Sequence, residues 1–163
     1  MLFEDEILDL IATVAEQMTA RKERLASCES LTGGLFGAAV CSVSGASDYY
    51  RGGIITYCND VKERAGVSHE TLEKHTAISG ECAEEMALSC ARFTDSDWGI
   101  SFTGNAGPLA QDNATVGTVY IGVSYHDKVR SFRYLMEGDR TSIRFQCVKE
   151  GLHLLLDALK EKR

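Results

Sequence analysis

Short strand-like apolar runs alternate with segments of helical period through the first two thirds of the chain, and this alternation restricts the fold more than any other feature. Phe3, Ile7, Leu10, Ile11, Val14 and Met18 share one helical face, which predicts an amphipathic helix over 3–20. LASC (25–28) reads as a short strand, and the small apolar residues 33–43 as a helix packed closely on a sheet. GGIITYC (52–58), β-branched and opened by two glycines, predicts a buried strand. Helical stretches follow over 59–66, ending at Gly66, and 68–75; a longer helix is expected over 79–93 with Ser79 as its cap.

WGISFTG (98–104), VGTVYIGVSY (116–125) and VRSFRYLM (129–136) predict three further strands, the last two joined by His126-Asp127-Lys128 as a hairpin. A long helix over 140–160 closes the chain, with Ile143, Cys147, Val148, Gly151, Leu154, Leu155 and Ala158 facing inward. The α/β order with a late hairpin predicts a three-layer α/β/α sandwich around a mixed, mostly parallel five-stranded sheet. At 163 residues, 44% of them hydrophobic, the chain is long enough for one substantial core. No repeat, linker or low-complexity tract divides it, so a single domain over 1–163 is expected.

The formal net charge of -7 argues against a broad, sequence-independent grip on nucleic acid. No apolar run approaches the roughly 20 residues of a membrane helix. The acidic, amphipathic start MLFEDEILDL is neither signal nor transit peptide. Cys28, Cys41, Cys58, Cys82, Cys90 and Cys147 are scattered in apolar segments without a CxxC pair, as small buried hydrophobes of a reducing compartment would be. The expectation is a cytoplasmic protein with no nucleic-acid or membrane partner.

In open α/β sheets ligands gather beyond the carboxyl ends of the strands. Three such ends have unusual loops: Glu29-Ser30-Leu31-Thr32-Gly33-Gly34, Tyr57-Cys58-Asn59-Asp60-Val61-Lys62 and Thr103-Gly104-Asn105-Ala106-Gly107-Pro108. The first precedes a helix, so N–H groups near Thr32 to Gly34 are expected to face an anion, and the glycines to admit a ligand close to the backbone. It matches neither GxxxxGK[ST], GxGxxG nor GxSxG. From the residues alone it is a phosphate cradle, a nucleophile loop or a tight turn. A serine needs a base, and none of His69, His75, His126 or His153 stands in a setting that supplies one. Lys62 can serve if burial makes it neutral near pH 7; otherwise it is a solvated helix residue facing Asp60 or Glu63.

Together the loops resemble the C-terminal domain of the CinA (competence/damage-inducible) proteins, which also occurs alone as bacterial nicotinamide mononucleotide deamidase. The family pattern runs close to ESCTGG, GG-x-x-x-YSN-x-x-K, TG-x-AGP, VGTVY and GDR. Here it stands as Glu29 to Gly34, Gly52-Gly53 to Lys62, Thr103 to Pro108, Val116 to Tyr120, and Gly138-Asp139-Arg140, in order from about residue 5 to the end. The resemblance implies a metal-free, cofactor-free amidohydrolase converting nicotinamide mononucleotide (NMN) to nicotinic acid mononucleotide and ammonia. It maps the nucleophile onto Ser30, the catalytic lysine onto Lys62, and a neighbouring catalytic tyrosine onto Tyr57. Substrate contacts are expected from Thr32, Gly33, Gly34, Asn59, Thr103, Gly104, Asn105, Ala106, Gly107 and Arg140.

On that reading Ser30 attacks the carboxamide and Lys62 acts as base, then acid. N–H groups of the Thr32–Gly34 turn or the 104–107 loop hold the oxyanion, and Arg140 or a glycine-rich backbone holds the phosphate. The resemblance further implies a homo-oligomer, a dimer or larger, that uses the apolar stripe of the first helix. The chain departs from the pattern at Leu31, at Cys58, at Asn105, where an apolar residue is usual, and at Leu109-Ala110-Gln111, which replaces a glycine run. The alternatives are a non-catalytic nucleotide-binding or regulatory module, or a hydrolase of another amide.

Overall fold

The computed structural model describes residues 2–162; Met1 and Arg163, the outermost residues of the domain expected over 1–163, lie outside the described residues. Five strands form one sheet in the order β2-β1-β3-β4-β5. They are β1 (Leu25–Glu29), β2 (Tyr50–Ile55), β3 (Trp98–Gly104), β4 (Thr118–Tyr125) and β5 (Lys128–Leu135). β1 pairs in parallel with β2 and β3, while β4 is antiparallel to both β3 and β5. β4 therefore runs against the other four, and the sheet is mixed with a parallel majority. The hairpin turns on His126 (φ 52) and Asp127.

Six α-helices cover the faces: α1 (Asp5–Arg21), α2 (Leu35–Cys41), α3 (Asn59–Ala65), α4 (His69–His75), α5 (Gly80–Thr94) and α6 (Arg140–Glu161). α1, α2 and α6 pack together on one face, and α5, flanked by α3 and α4, covers the other. Side-chain caps begin α4, α5 and α6: Ser68 accepts from the Thr71 N–H, Ser79 from the Cys82 N–H and Asp139 from the Ser142 N–H. Among the described residues no helix is long and apolar enough to cross a membrane.

Three expectations change. β2 is not a buried strand: it lies at the sheet edge, its burial alternates, and Ile55 remains 53% exposed. Its β-branched residues serve one covered face only. The stripe Ile7, Ile11, Val14 and Met18 of α1 is already buried within the chain, in the core that α6 shares, so it is not available to a second copy. Cys28, Cys82, Cys90 and Cys147 are buried as expected, whereas Cys41 and Cys58 are exposed.

Candidate active site

The carboxyl end of β1 is held on both sides. The Ser30 N–H donates to the Phe102 carbonyl at 2.9 Å, and the Thr56 N–H to the Glu29 carbonyl at 2.8 Å. Ser30 thus emerges at the sheet edge between β2 and β3. A β-turn follows, closed by the Gly33 N–H on the Ser30 carbonyl at 3.0 Å. Gly33 (φ 56) and Gly34 (φ 99) carry the left-handed backbone that lets α2 start at once.

The Glu29 carboxylate, 2% exposed, folds back over this start. Its Oε2 accepts from the N–H groups of Gly34 (3.0 Å) and Phe36 (3.1 Å), and its Oε1 from that of Gly37 (2.9 Å). The first turn of α2 is therefore closed by the chain's own anion. Gly33 and Gly34 were expected to offer N–H groups to a ligand; both are committed within the chain. Neither glycine lines the cleft described below, nor does the fully buried Thr32. The glycines answer to the turn, not to a close-lying ligand.

Lys62 stands one turn into α3. Asp60 faces Arg64 at 4.0 Å and Glu63 meets His69 at 2.8 Å, so both acids expected near Lys62 are engaged elsewhere. Lys62 turns inward and is 2% exposed. Its Nζ lies 2.9 Å from Ser30 Oγ, 2.7 Å from the Thr56 carbonyl and 3.2 Å from the Tyr57 carbonyl. None of the three partners carries a charge. Burial accordingly pushes the ammonium pKa below the ordinary lysine value, with nearby thiols and Asp112 opposing more weakly. In the neutral amine two N–H bonds satisfy the carbonyls and the lone pair is left for the Ser30 hydroxyl.

The pair opens into a cleft of about 360 Å³. Ser30, Leu31, Tyr57, Asn59, Lys62, Ala77, Ile78, residues 103–111 and Arg140 line it. Of the expected residues it thus gathers Ser30, Lys62, Tyr57, Asn59, Thr103, Gly104, Asn105, Ala106, Gly107 and Arg140, and leaves out Thr32, Gly33 and Gly34. None of the four histidines lines it. Arg140 opens α6 and spans the mouth: Nη1 donates to the Gly107 carbonyl and Nη2 to the Tyr57 hydroxyl, both at 2.7 Å. Tyr57 is 55% exposed, and it reaches Lys62 through its backbone carbonyl.

Three of the departures from the family pattern, all but Cys58, have structural explanations here. The Asn105 amide donates to the carbonyls of Leu109 (2.8 Å) and Ala114 (3.2 Å), and its oxygen accepts from the Gly107 N–H (2.8 Å). Its side chain is thereby spent on closing the loop rather than on a ligand. Leu109-Ala110-Gln111, which stands in place of a glycine run, leads into a two-residue hairpin turn, Asp112 (φ 51) and Asn113 (φ 59), bridged between Gln111 and Ala114. Thr103 Oγ1 is likewise committed, donating to the Ala77 carbonyl at 2.6 Å. Leu31 is 4% exposed and belongs to the hydrophobic core.

Sequence reading assigned no role to the Glu29 carboxylate and passed over Arg144. Arg144, in the second turn of α6, donates from Nε to the Leu31 carbonyl (3.0 Å) and from Nη2 to the Thr32 carbonyl (2.8 Å). A carboxylate next to a glycine-rich helix start is a capping signal that was available for Glu29. An arginine more than 100 residues from its partners leaves no local signal.

The CinA C-terminal domain model matches residues 8–159. A relative from Bacillus subtilis (strain 168), provisionally named a competence-damage inducible protein, is 43% identical over 158 residues, covering 94% of this chain and 38% of that protein. A Bacillus pumilus (strain SAFR-032) relative with the same provisional name is 42% identical over 153 residues, covering 93% and 37%. The chain therefore spans little more than a third of the length of these curated relatives. Among solved structures, the competence damage-inducible protein A of Klebsiella pneumoniae superposes with a TM-score of 0.93 at 30% identity, over 96% of this chain and 99% of that one. A CinA superfamily protein from Enterobacter cloacae gives 0.91 at 32% identity, over 94% and 92%. The chain belongs to the CinA C-terminal domain family.

Proposed function

We propose that this member of the CinA C-terminal domain family is an amidohydrolase that deamidates NMN through a Ser30–Lys62 pair. One observation carries the reading. A lysine 2% exposed, with only a hydroxyl and two carbonyls for partners, lies 2.9 Å from a serine at the carboxyl edge of a parallel strand pair. A lysine stripped of water and of counter-charge gives up its proton at lower pH than a free lysine, and a serine hydroxyl requires such a base.

The chemistry balances on these two side chains and one water. Ser30 Oγ attacks the carboxamide carbon as its proton passes to Lys62 Nζ, forming a tetrahedral oxyanion. Collapse of that intermediate breaks the C–N bond. The leaving nitrogen takes the proton back from Lys62 and departs as ammonia. Water then attacks the Ser30 ester, giving a proton to Lys62 that is returned to Ser30 Oγ as the carboxylic acid product leaves and releases its own proton to solvent. Arg140, the one arginine lining the cleft, supplies a forked cation for the substrate's phosphate at the mouth. The cleft volume of about 360 Å³ lies within the range of small-molecule sites.

Ammonia release from NMN by the purified protein and its Ser30→Ala variant tests the reading. Nicotinamide and glutamine serve as control amides. The family reading also carries a homo-oligomer, which light scattering tests against the 17.8 kDa of one chain.

A further inference from the structure

Most polar side chains on the cleft wall are already engaged. Thr103 Oγ1 donates to the Ala77 carbonyl, and both ends of the Asn105 amide are bonded within its own loop. Arg140 and Tyr57 hold each other across the mouth, and Ser30 and Lys62 form the reacting pair. That leaves Asn59 and Gln111. Both are exposed and line the cleft, and among the described residues neither side-chain amide has a partner in the chain.

Gln111 is the one that the family pattern did not point to, and its backbone is fixed twice over. The Ala114 N–H donates to the Gln111 carbonyl at 2.8 Å, and the Gln111 N–H returns to the Ala114 carbonyl at 3.4 Å, across the Asp112-Asn113 turn. Asn105 then clamps the Leu109 and Ala114 carbonyls to either side. The turn also stands near the reacting pair, since the Asp112 carboxylate acts on Lys62 against the effect of burial. An anchored backbone lowers the ordering cost of a contact made by its side chain.

The chemistry of the amide selects what it can hold. It offers two donors and an acceptor oxygen, and no charge. It gives a phosphate no counter-charge, a role that Arg140 fills, and the side chains of Leu31, Ala77, Ile78, Ala106 and Pro108 on the same wall have no polar atom. Neighbouring hydroxyls, each both donor and acceptor, match a side-chain amide, and in a nucleotide they belong to the ribose.

We infer that Gln111 is a specificity-determining residue of the cleft: its side-chain amide binds the vicinal hydroxyls of the substrate's ribose. The inference rests on the NMN reading and adds to it how the sugar is recognised. Glycine has no side chain to make this contact, so it separates this chain from any member that keeps the glycine run.

The test compares wild type with Gln111→Met, which keeps the length and removes the amide, and with Gln111→Ala. The bonds that hold residue 111 in its hairpin are backbone bonds, so both variants keep it. Each protein is given NMN and the analogue of NMN whose ribose lacks the 2′ and 3′ hydroxyls. Ammonia release is followed in the three proteins, and calorimetric binding in the same three carrying Ser30→Ala, where substrate is not consumed. Wild type should prefer NMN to the analogue by about tenfold or more in KM and Kd, the scale of two neutral hydrogen bonds. Both variants should lose about tenfold for NMN, keep kcat within about threefold and bind the analogue as before, so that the preference shrinks by the same factor.

A wild type that binds NMN and the analogue alike overturns this inference alone. So do variants that keep the wild-type preference, whether affinity is unchanged or falls equally for both ligands. Binding with the expected preference but no ammonia release overturns the amidohydrolase reading and leaves Gln111 as the reader of the sugar. A wild type that does not bind NMN overturns both.

Discussion

Lys62 Nζ lies 2.9 Å from Ser30 Oγ at the bottom of the cleft, and its other two partners are backbone carbonyls of the segment that follows β2. The loop that places the lysine thus also satisfies it. That arrangement keeps the amine buried without a counter-ion, which separates a base from a structural ion pair.

Replacing Lys62 by Met keeps much of its bulk and removes the base. NMN turnover should fall by about 10³-fold or more. The thermal midpoint should stay within a few degrees, since a desolvated amine is exchanged for an apolar chain at the cost of two unpaired carbonyls. Steady-state kinetics beside a thermal melt separates the two effects. Wild-type turnover in the variant would remove Lys62 from the reaction.

Burial lowers the Lys62 pKa, so the competent base is present at lower pH than for a free lysine. kcat/KM should therefore rise with pH along one limb whose midpoint lies below 10.5, the ordinary lysine value. Stability follows with the same sign. The unfolded chain takes up the proton first as pH falls from 10.5, so the Lys62 contribution is fully present above that value and lost as pH drops through the folded pKa. A pH–rate profile with its limb at or above 10.5 would contradict the assignment.

Glu29 accepts three backbone N–H groups while 2% exposed. Glu29→Gln trades one acceptor oxygen for a donor and should cost about 1–3 kcal/mol, the penalty of a buried unsatisfied group. Glu29→Ala, which leaves all three N–H groups unpaired, should cost more. Chemical denaturation of the two variants checks the order; equal stabilities would mean that the α2 start finds other acceptors.

Asn105 ties Gly107, Leu109 and Ala114 together, and residues 105–111 line the cleft. Asn105→Ala should loosen that wall. KM for NMN should rise by about tenfold, with a smaller change in kcat, because uniform binding is lost while Ser30 and Lys62 stay in place. Limited proteolysis should show new cutting between 109 and 114. An unchanged KM with the loop cut would show that this wall does not touch the substrate.

Much of the frame was legible because it follows from periodicity. WGISFTG (98–104) is β3 to the residue, and Ser79 caps α5 as its position before the apolar face suggested. β2 was misplaced because β-branched residues look alike on a central and an edge strand; only the pairing order separates them. Lys62 had an acidic neighbourhood in sequence, but Asp60 and Glu63 are bound to Arg64 and His69, and helix rotation alone decides which face turns inward. The Thr32–Gly34 turn read as a ligand cradle because Glu29, the carboxylate directly ahead of the glycine-rich helix start, was not weighed as the anion that fills it.

The measurement that reaches the centre of the proposal is ammonia release from NMN by the native protein and by Ser30→Ala, with nicotinamide and glutamine as controls. The Ser30–Lys62 geometry predicts turnover of NMN that disappears in the variant, with both proteins equally folded. Native protein that is folded and concentrated yet releases no ammonia from NMN, or a Ser30→Ala variant that still does, would contradict it.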